Sequence, residues 1–180
     1  MDCSDPRPIE TVLARYLAVE PRSLTLTRSP LGKPRLLGAP FGFSLAHSGD
    51  ATLVAITEAR DVGVDVERIR AGADRWSLVD HALTPRERLE LENVPRARRA
   101  DAFLSMWTRK EALLKAAGVG LLVDPALVEL DRGSVRDVPP ALAPAQDWTF
   151  VDIPLPGHVA TLAVRGSISR LSLWDAAGAP

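Results

Sequence analysis

Val62-Gly63-Val64-Asp65-Val66-Glu67 is the stretch from which the rest of the chain can be read. Three valines alternate with Gly63, Asp65 and Glu67, and a period of two predicts a strand with both carboxylates on the face opposite the valines. At the usual rise per residue the two acids stand about 7 Å apart along the strand, close enough for their side chains to lean onto one point. Two carboxylates placed so repel each other, and a hard dication relieves the repulsion. Mg²⁺ in such a setting takes one or two carboxylates, substrate phosphate oxygens and waters. An exposed strand face that merely carries acids is the alternative, and a lone D-x-E tripeptide does not decide between them.

The second informative stretch is Trp107-Thr108-Arg109-Lys110-Glu111-Ala112-Leu113-Leu114-Lys115. A helix is predicted over residues 100–117, with Phe103, Met106, Trp107, Leu114 and Ala117 as one apolar stripe and Gly118 as its stop. Glu111 and Lys115 are four residues apart and share a face at the edge of that stripe, beside Leu104 and Trp107. An ordinary surface Glu-to-Lys pair would look the same. Lys110 falls near the middle of the stripe, where a lysine must snorkel or find a partner. That placement points to a helix facing a polar site rather than a closed core.

Outward from these two stretches, residues 9–19 carry helical spacing through Ile9, Leu13, Tyr16 and Leu17, ending before Pro21. A strand is expected at 24–28 and turns over 29–40. A hairpin then follows, with strands at 43–46 and 52–57 around the Ser48-Gly49-Asp50 turn. Thr84-Pro85-Arg86-Glu87 reads as a helix start, with Thr84 as N-cap, proline at the first helical position and Glu87 able to close a capping box. That helix runs to about Glu92. The Pro/Ala-rich residues 137–146 read as a surface loop, and strands are expected at 148–153, 159–164 and 171–174. The fold class is α+β, hairpins and meanders with a few long helices packed on them.

The bulk numbers set bounds. A chain of 180 residues, 46% hydrophobic, buries a real core as one domain or two small intimate halves. With 22 basic and 23 acidic residues the net charge is −1, so no global field draws the protein to nucleic acid or to an anionic membrane. Arg86, Arg88, Arg96, Arg98 and Arg99 make a local basic cluster. Glu87, Glu90 and Glu92 are interleaved and no aromatic residue accompanies them, so the cluster reads as a solvated face or a contact for an acidic protein. The single cysteine, Cys3, forms no internal disulfide, and the N-terminus has neither a basic nor an apolar leader region. The most apolar stretch, 112–123, is too short to span a bilayer. A cytoplasmic location, no membrane segment and a monomeric chain are expected.

Four segments taken in order make the pattern specific: GKP at 32–34, FSLAHSGD at 43–50, VGVDVE at 62–67 and WTRKEALLKAAGVGL at 107–121. Together they resemble the 4′-phosphopantetheinyl transferase superfamily, most closely its longer pseudo-dimeric branch. The resemblance covers roughly residues 11–131. It implies two pseudo-twofold related α+β halves, 1–60 and 61–180, with the ligand cleft between them. It also implies Mg²⁺ ligands at Asp65, Glu67 and Glu111, and coenzyme A as substrate. Lys115 is implied at the pyrophosphate, with His47 and Lys33 near the 3′-phosphate and adenine; Lys110 joins them as a candidate coenzyme A contact. Neither His47 nor Lys33 would support a role by itself, since a lone histidine is more often structural. The family also has an acidic residue near Glu87, so a site role and a capping role both stand there.

The activity implied is transfer of 4′-phosphopantetheine from coenzyme A to a serine of an apo acyl or peptidyl carrier protein, as in secondary metabolite biosynthesis. The serine hydroxyl attacks the β-phosphorus and 3′,5′-adenosine bisphosphate leaves. Asp65, Glu111 and Lys115 are the residues expected to carry catalysis, with Glu111, or a metal-bound water it orients, taking the serine proton. Two departures stand out. Ala46 replaces the hydroxyl residue the family commonly has before the histidine, and the chain is expected to start after the basic segment with which longer members begin, Arg7 and Arg15 being candidate substitutes, neither of which aligns clearly with its basic residues. A coenzyme A-binding relative with weak or no transfer activity is the alternative those departures motivate.

Overall fold

The computed structural model describes residues 7–58, 61–70, 76–131 and 133–175. Cys3 and the side chain of Arg7 lie outside the described residues. Helix α1 (Arg7–Leu17) buries Ile9 and Leu13 against Phe43, while Leu17 is half-buried and Tyr16, expected on the same side, stays exposed with its ring edge-on to Phe41. A small hairpin of β1 (Leu26–Arg28) and β2 (Pro34–Leu36) follows, and then a longer one of β3 (Phe41–Ser48) and β4 (Ala51–Glu58). Strand β5 (Val62–Arg68) begins a three-stranded antiparallel sheet completed by β8 (Trp148–Asp152) and β9 (His158–Arg165), with β9 in the centre. Helices α2 (Trp76–Ala82), α3 (Pro85–Glu92) and α4 (Arg99–Ala117) lie between β5 and a last hairpin of β6 (Glu129–Asp131) and β7 (Ser134–Asp137). Mixed helix and sheet of this kind is the α+β class. Among the described residues no helix is long and apolar enough to cross a membrane.

Both faces of β5 are covered, and the alternation of its sequence says by what. Val62, Val64 and Val66 pack with Ala46 and with Ala160, Leu162 and Val164 of β9, while Leu53 and Ala55 of β4 close over them. Across the strand, Gly63 and Asp65 face α4, which lies over β5 and β9. At Gly63 the approach is so close that a Cβ would collide with the carbonyl oxygen of Ala112 and the amide nitrogen of Ala116. Only glycine allows helix backbone to rest on strand backbone in this way.

Strand β3 runs beside β5 in the same direction and is joined to it by serines. Ser44 Oγ accepts from the Val64 amide at 3.1 Å, and Ser48 Oγ accepts from the Arg68 amide at 3.0 Å. The hydroxyls stand where ladder carbonyls would otherwise be, so amides on this edge of β5 find acceptors despite the absence of a ladder to β3.

Several sequence expectations meet the structure differently. Helix α2 and strand β2 are too short to show a period and were not anticipated. The 137–146 segment is largely at the surface, as expected, but it contains two 3₁₀ turns and anchors itself through buried Leu142, whose carbonyl accepts from Trp148 Nε1 at 2.8 Å. Residues 171–174 form no strand: Leu171, Leu173 and Trp174 are exposed and join no ladder, because alternation supplies a face but not a neighbour to pair with.

Gly63→Ala is expected to cost roughly 3 kcal/mol, since backbone rather than a pliable side chain fills the space its methyl would need. Urea unfolding measures this directly; a loss of only a few tenths would mean that α4 does not rest on β5 as described.

Candidate active site

Asp65 stands on β5 and is nearly buried, and α4 delivers Lys115 to it: Nζ donates to Asp65 Oδ1 at 2.6 Å. One turn earlier on the helix, Glu111 is half-buried on the same side. Two carboxylate oxygens here are buried without a hydrogen-bond partner, Asp65 Oδ2 and Glu111 Oε1. An unsatisfied buried carboxylate oxygen is costly, and a cation or a water is the kind of partner that would satisfy it. Behind Asp65, its cross-strand partner Thr161 meets Thr108 hydroxyl to hydroxyl at 3.1 Å, pinning α4 to β9 three residues before Glu111.

The electrostatics follow from burial. Asp65 is pushed up from 3.8 to about 6, first by burial, with the Glu67 charge adding and the Lys115 ammonium opposing. Glu111 is raised as well, by burial and then by the charge on Asp65, again against Lys115. Three carboxylates therefore share one region with a single ammonium. Among the described residues no three acidic, histidine or cysteine side chains converge into a ready-made metal cage. Instead Lys115 occupies one oxygen of Asp65, and Glu67 Oε2 accepts from Ser48 Oγ at 3.2 Å. The donor set, Asp65 and Glu111 each with one buried oxygen lacking a partner and Glu67 near them, fits a hard dication that takes its remaining ligands from water and phosphate.

Other candidate residues are placed differently from expectation. Lys110 does not line the site. Its ammonium is fully buried and donates to Glu87 Oε2, the Ala82 carbonyl and the Pro125 carbonyl, so all three N–H groups are used within the core. Burial lowers its pKa and the Glu87 carboxylate opposes that. The reading of Lys110 as a coenzyme A contact is corrected accordingly: the lysine found its partner inside the protein. Glu87 is that partner, and it also closes the capping box with Thr84 and accepts from the Leu130 amide at 2.9 Å. Its helix-cap role is thus part of a larger buried junction of α3, α4 and β6.

Lys33 is turned inward too. Its ammonium donates to the carbonyls of Val62 at 3.0 Å and Ala116 at 2.6 Å, and burial depresses its pKa to about 8, with Asp61 opposing and Arg35 adding. His47 is exposed on β3, on the opposite side of the strand from its neighbour Ser48. Ser48, which the sequence offers as a turn residue, touches an acid of the site, Glu67. Its role had one available signal, a hydroxyl two residues after Ala46 on the side of β3 that meets β5.

Residues 61–163 match the family model described as the 4′-phosphopantetheinyl transferase superfamily. A 4′-phosphopantetheinyl transferase of Nostoc sp., HetI, is 33% identical over 172 residues, covering 92% of this chain and 71% of that protein. The chain belongs to the 4′-phosphopantetheinyl transferase superfamily. It is also similar to the Bacillus subtilis 4′-phosphopantetheinyl transferase, 28% identical over 152 residues, and to AcpT of Salmonella typhimurium, 39% identical over 89 residues. The chain covers 61% of the Bacillus protein and 46% of AcpT, so it spans only part of these relatives' lengths. Asp65, Glu67, Glu111 and Lys115 all fall within the segment that the superfamily model matches.

The raised Asp65 gives a pH signature. Between pH 3.8 and about 6 the folded chain keeps a proton that the unfolded chain has released, so stability falls as pH rises through this window. In the absence of divalent cations, Asp65→Asn is expected to be more stable than the unsubstituted protein above pH 6, by roughly 1–3 kcal/mol, and no more stable near pH 4. Urea titrations in EDTA at pH 4 and pH 8 test this. An unsubstituted protein that is the more stable of the two at pH 8 would contradict a burial cost for the Asp65 carboxylate that exceeds what Lys115 returns.

Proposed function

We propose that this member of the superfamily transfers 4′-phosphopantetheine from coenzyme A to a serine of an apo acyl or peptidyl carrier protein, in a Mg²⁺-dependent reaction that releases 3′,5′-adenosine bisphosphate. The observation that carries the reading is the pair of buried, partnerless oxygens on Asp65 and Glu111, set on two elements that Gly63 holds in backbone contact. Asp65, Glu67 and Glu111 would hold the ion. When bound, Mg²⁺ neutralises charge that builds on the pyrophosphate oxygens, as in phosphoryl transfer generally.

The chain's own groups do the rest. Lys115, with its side chain 30% exposed, holds Asp65 through one oxygen and can turn its ammonium toward an entering phosphate. There it offsets negative charge as the bond between the β-phosphorus and the bridging oxygen breaks. Glu111, one turn away, takes the proton of the attacking serine hydroxyl in this reading, its half-buried carboxylate with a raised pKa supporting the role. The coenzyme A contacts are His47 and Lys115, with the cleft formed where the 1–60 half, through β3, meets the 61–180 half, through β5. The serine bonds from Ser44 and Ser48 support that division, since β3 and β5 touch there without forming a ladder. A monomer working in the cytoplasm is part of the same reading.

Incubating an apo carrier protein with coenzyme A, Mg²⁺ and this protein is expected to add the mass of one phosphopantetheine arm. Asp65→Ala and Glu111→Ala are each expected to slow the transfer by at least about a thousandfold while leaving a folded protein. Coenzyme A binding with no mass gain would favour a non-transferring relative, and full turnover in either variant would remove the metal assignment.

A further inference from the structure

Helix α4 must end without exposing its carbonyls to a dry interior, and its C-terminus shows how. Gly118 takes a left-handed conformation, φ 73°, and its amide donates to the Lys115 carbonyl at 3.1 Å, while the Val119 amide donates to the Leu114 carbonyl at 3.1 Å. These two bonds are the Schellman pattern, which serves the carbonyls three and two positions before the cap. It leaves the next one, Ala116, unserved. Ala116 is fully buried, so water is a poor substitute. Lys33 Nζ, arriving from the β1–β2 turn, donates to that carbonyl at 2.6 Å.

The same ammonium donates to the Val62 carbonyl at 3.0 Å, at the first residue of β5. Lys33 therefore clasps the end of α4 to the start of β5, the two elements bearing Asp65, Glu67, Glu111 and Lys115. Its stem lies over Gly118, where a Cβ would come within 3.1 Å of Lys33 Cδ, so a glycine at that position also makes room for the lysine. A positive charge at a helix C-terminus is favoured by the helix dipole, and burial holds it in place. The carbonyls it serves are 29 and 83 residues away in sequence.

We propose that Lys33 is a positioning residue: it completes the C-terminal cap of α4 and locks the Lys115 turn against β5, rather than binding a phosphate of coenzyme A. Its catalytic consequence rests on the transferase reading above; its structural consequence does not. Lys33→Met keeps the stem and removes the donors, while Lys33→Arg keeps donors and charge.

In the free protein, hydrogen exchange at the Gly118 and Val119 amides is expected to speed up about tenfold or more in Lys33→Met and to stay near the unsubstituted rate in Lys33→Arg. In transfer assays, kcat is expected to fall for coenzyme A and for 3′-dephospho-coenzyme A alike, leaving the preference between them unchanged. Unaltered exchange in Lys33→Met, or a preference for the 3′-phosphate that collapses in that variant, would overturn the proposal. Should Lys33→Met fail to fold, Lys33→Gln gives the same readouts. Absence of transfer by the unsubstituted protein with either substrate would refute the transferase reading, and the exchange measurement would still decide the clasp.

Discussion

The backbone contact between α4 and β5 at Gly63 is the constraint on which the rest depends. A helix normally stands off a sheet by the thickness of two layers of side chains. Here one side-chain layer is missing, and the Ala112 to Ala116 turn sits directly on the strand. The next residue of β5 after Gly63 that faces α4 is Asp65, and the residues immediately before the two contact residues Ala112 and Ala116 are Glu111 and Lys115. Close crossing therefore sets an acid of the strand against a base of the helix at 2.6 Å, with the acid Glu111 near enough to feel the Asp65 charge. With an ordinary spacing the same side chains would face one another across water or apolar filler.

Holding such a crossing rigid takes fastenings on every side of the helix, and the structure supplies polar ones. Thr108 ties α4 to Thr161 of β9, Lys33 ties its end to Val62, and Lys110 ties its far side to Glu87 and to the carbonyls of Ala82 and Pro125. A buried ion pair adds little net stability compared with apolar packing, but its directional bonds specify one arrangement of α3, α4 and β6 and penalise others. The site itself stores the opposite kind of term: buried carboxylates with raised pKa values, costly in the free chain and useful only once positive charge arrives.

What was legible in the sequence follows the same division. The period-two valines and the helical stripe declared β5 and α4, and the 3.6-residue geometry placed Glu111 with Lys115, because these are local regularities. Gly63 looked like one more term of an alternation; its meaning appears only when a helix is laid on it. Lys110 announced that a polar group sat in an apolar stripe, which is correct, yet nothing local told whether a ligand or Glu87 would answer it. Lys33 carried no signal at all of its distant carbonyls. Alternation at 171–174 looked like a strand for want of any information about pairing, and β2 and α2 were too short to announce themselves.

If the crossing of α4 over β5 exists to assemble a carboxylate site for a dication beside a phosphate, the most direct measurement is calorimetric titration of Mg²⁺ in the presence of coenzyme A. The expected result is a single site in the unsubstituted protein that is lost in both Asp65→Asn and Glu111→Gln. Undiminished Mg²⁺ binding in the two variants, or no binding to the unsubstituted protein, would contradict the assignment of these carboxylates to a metal.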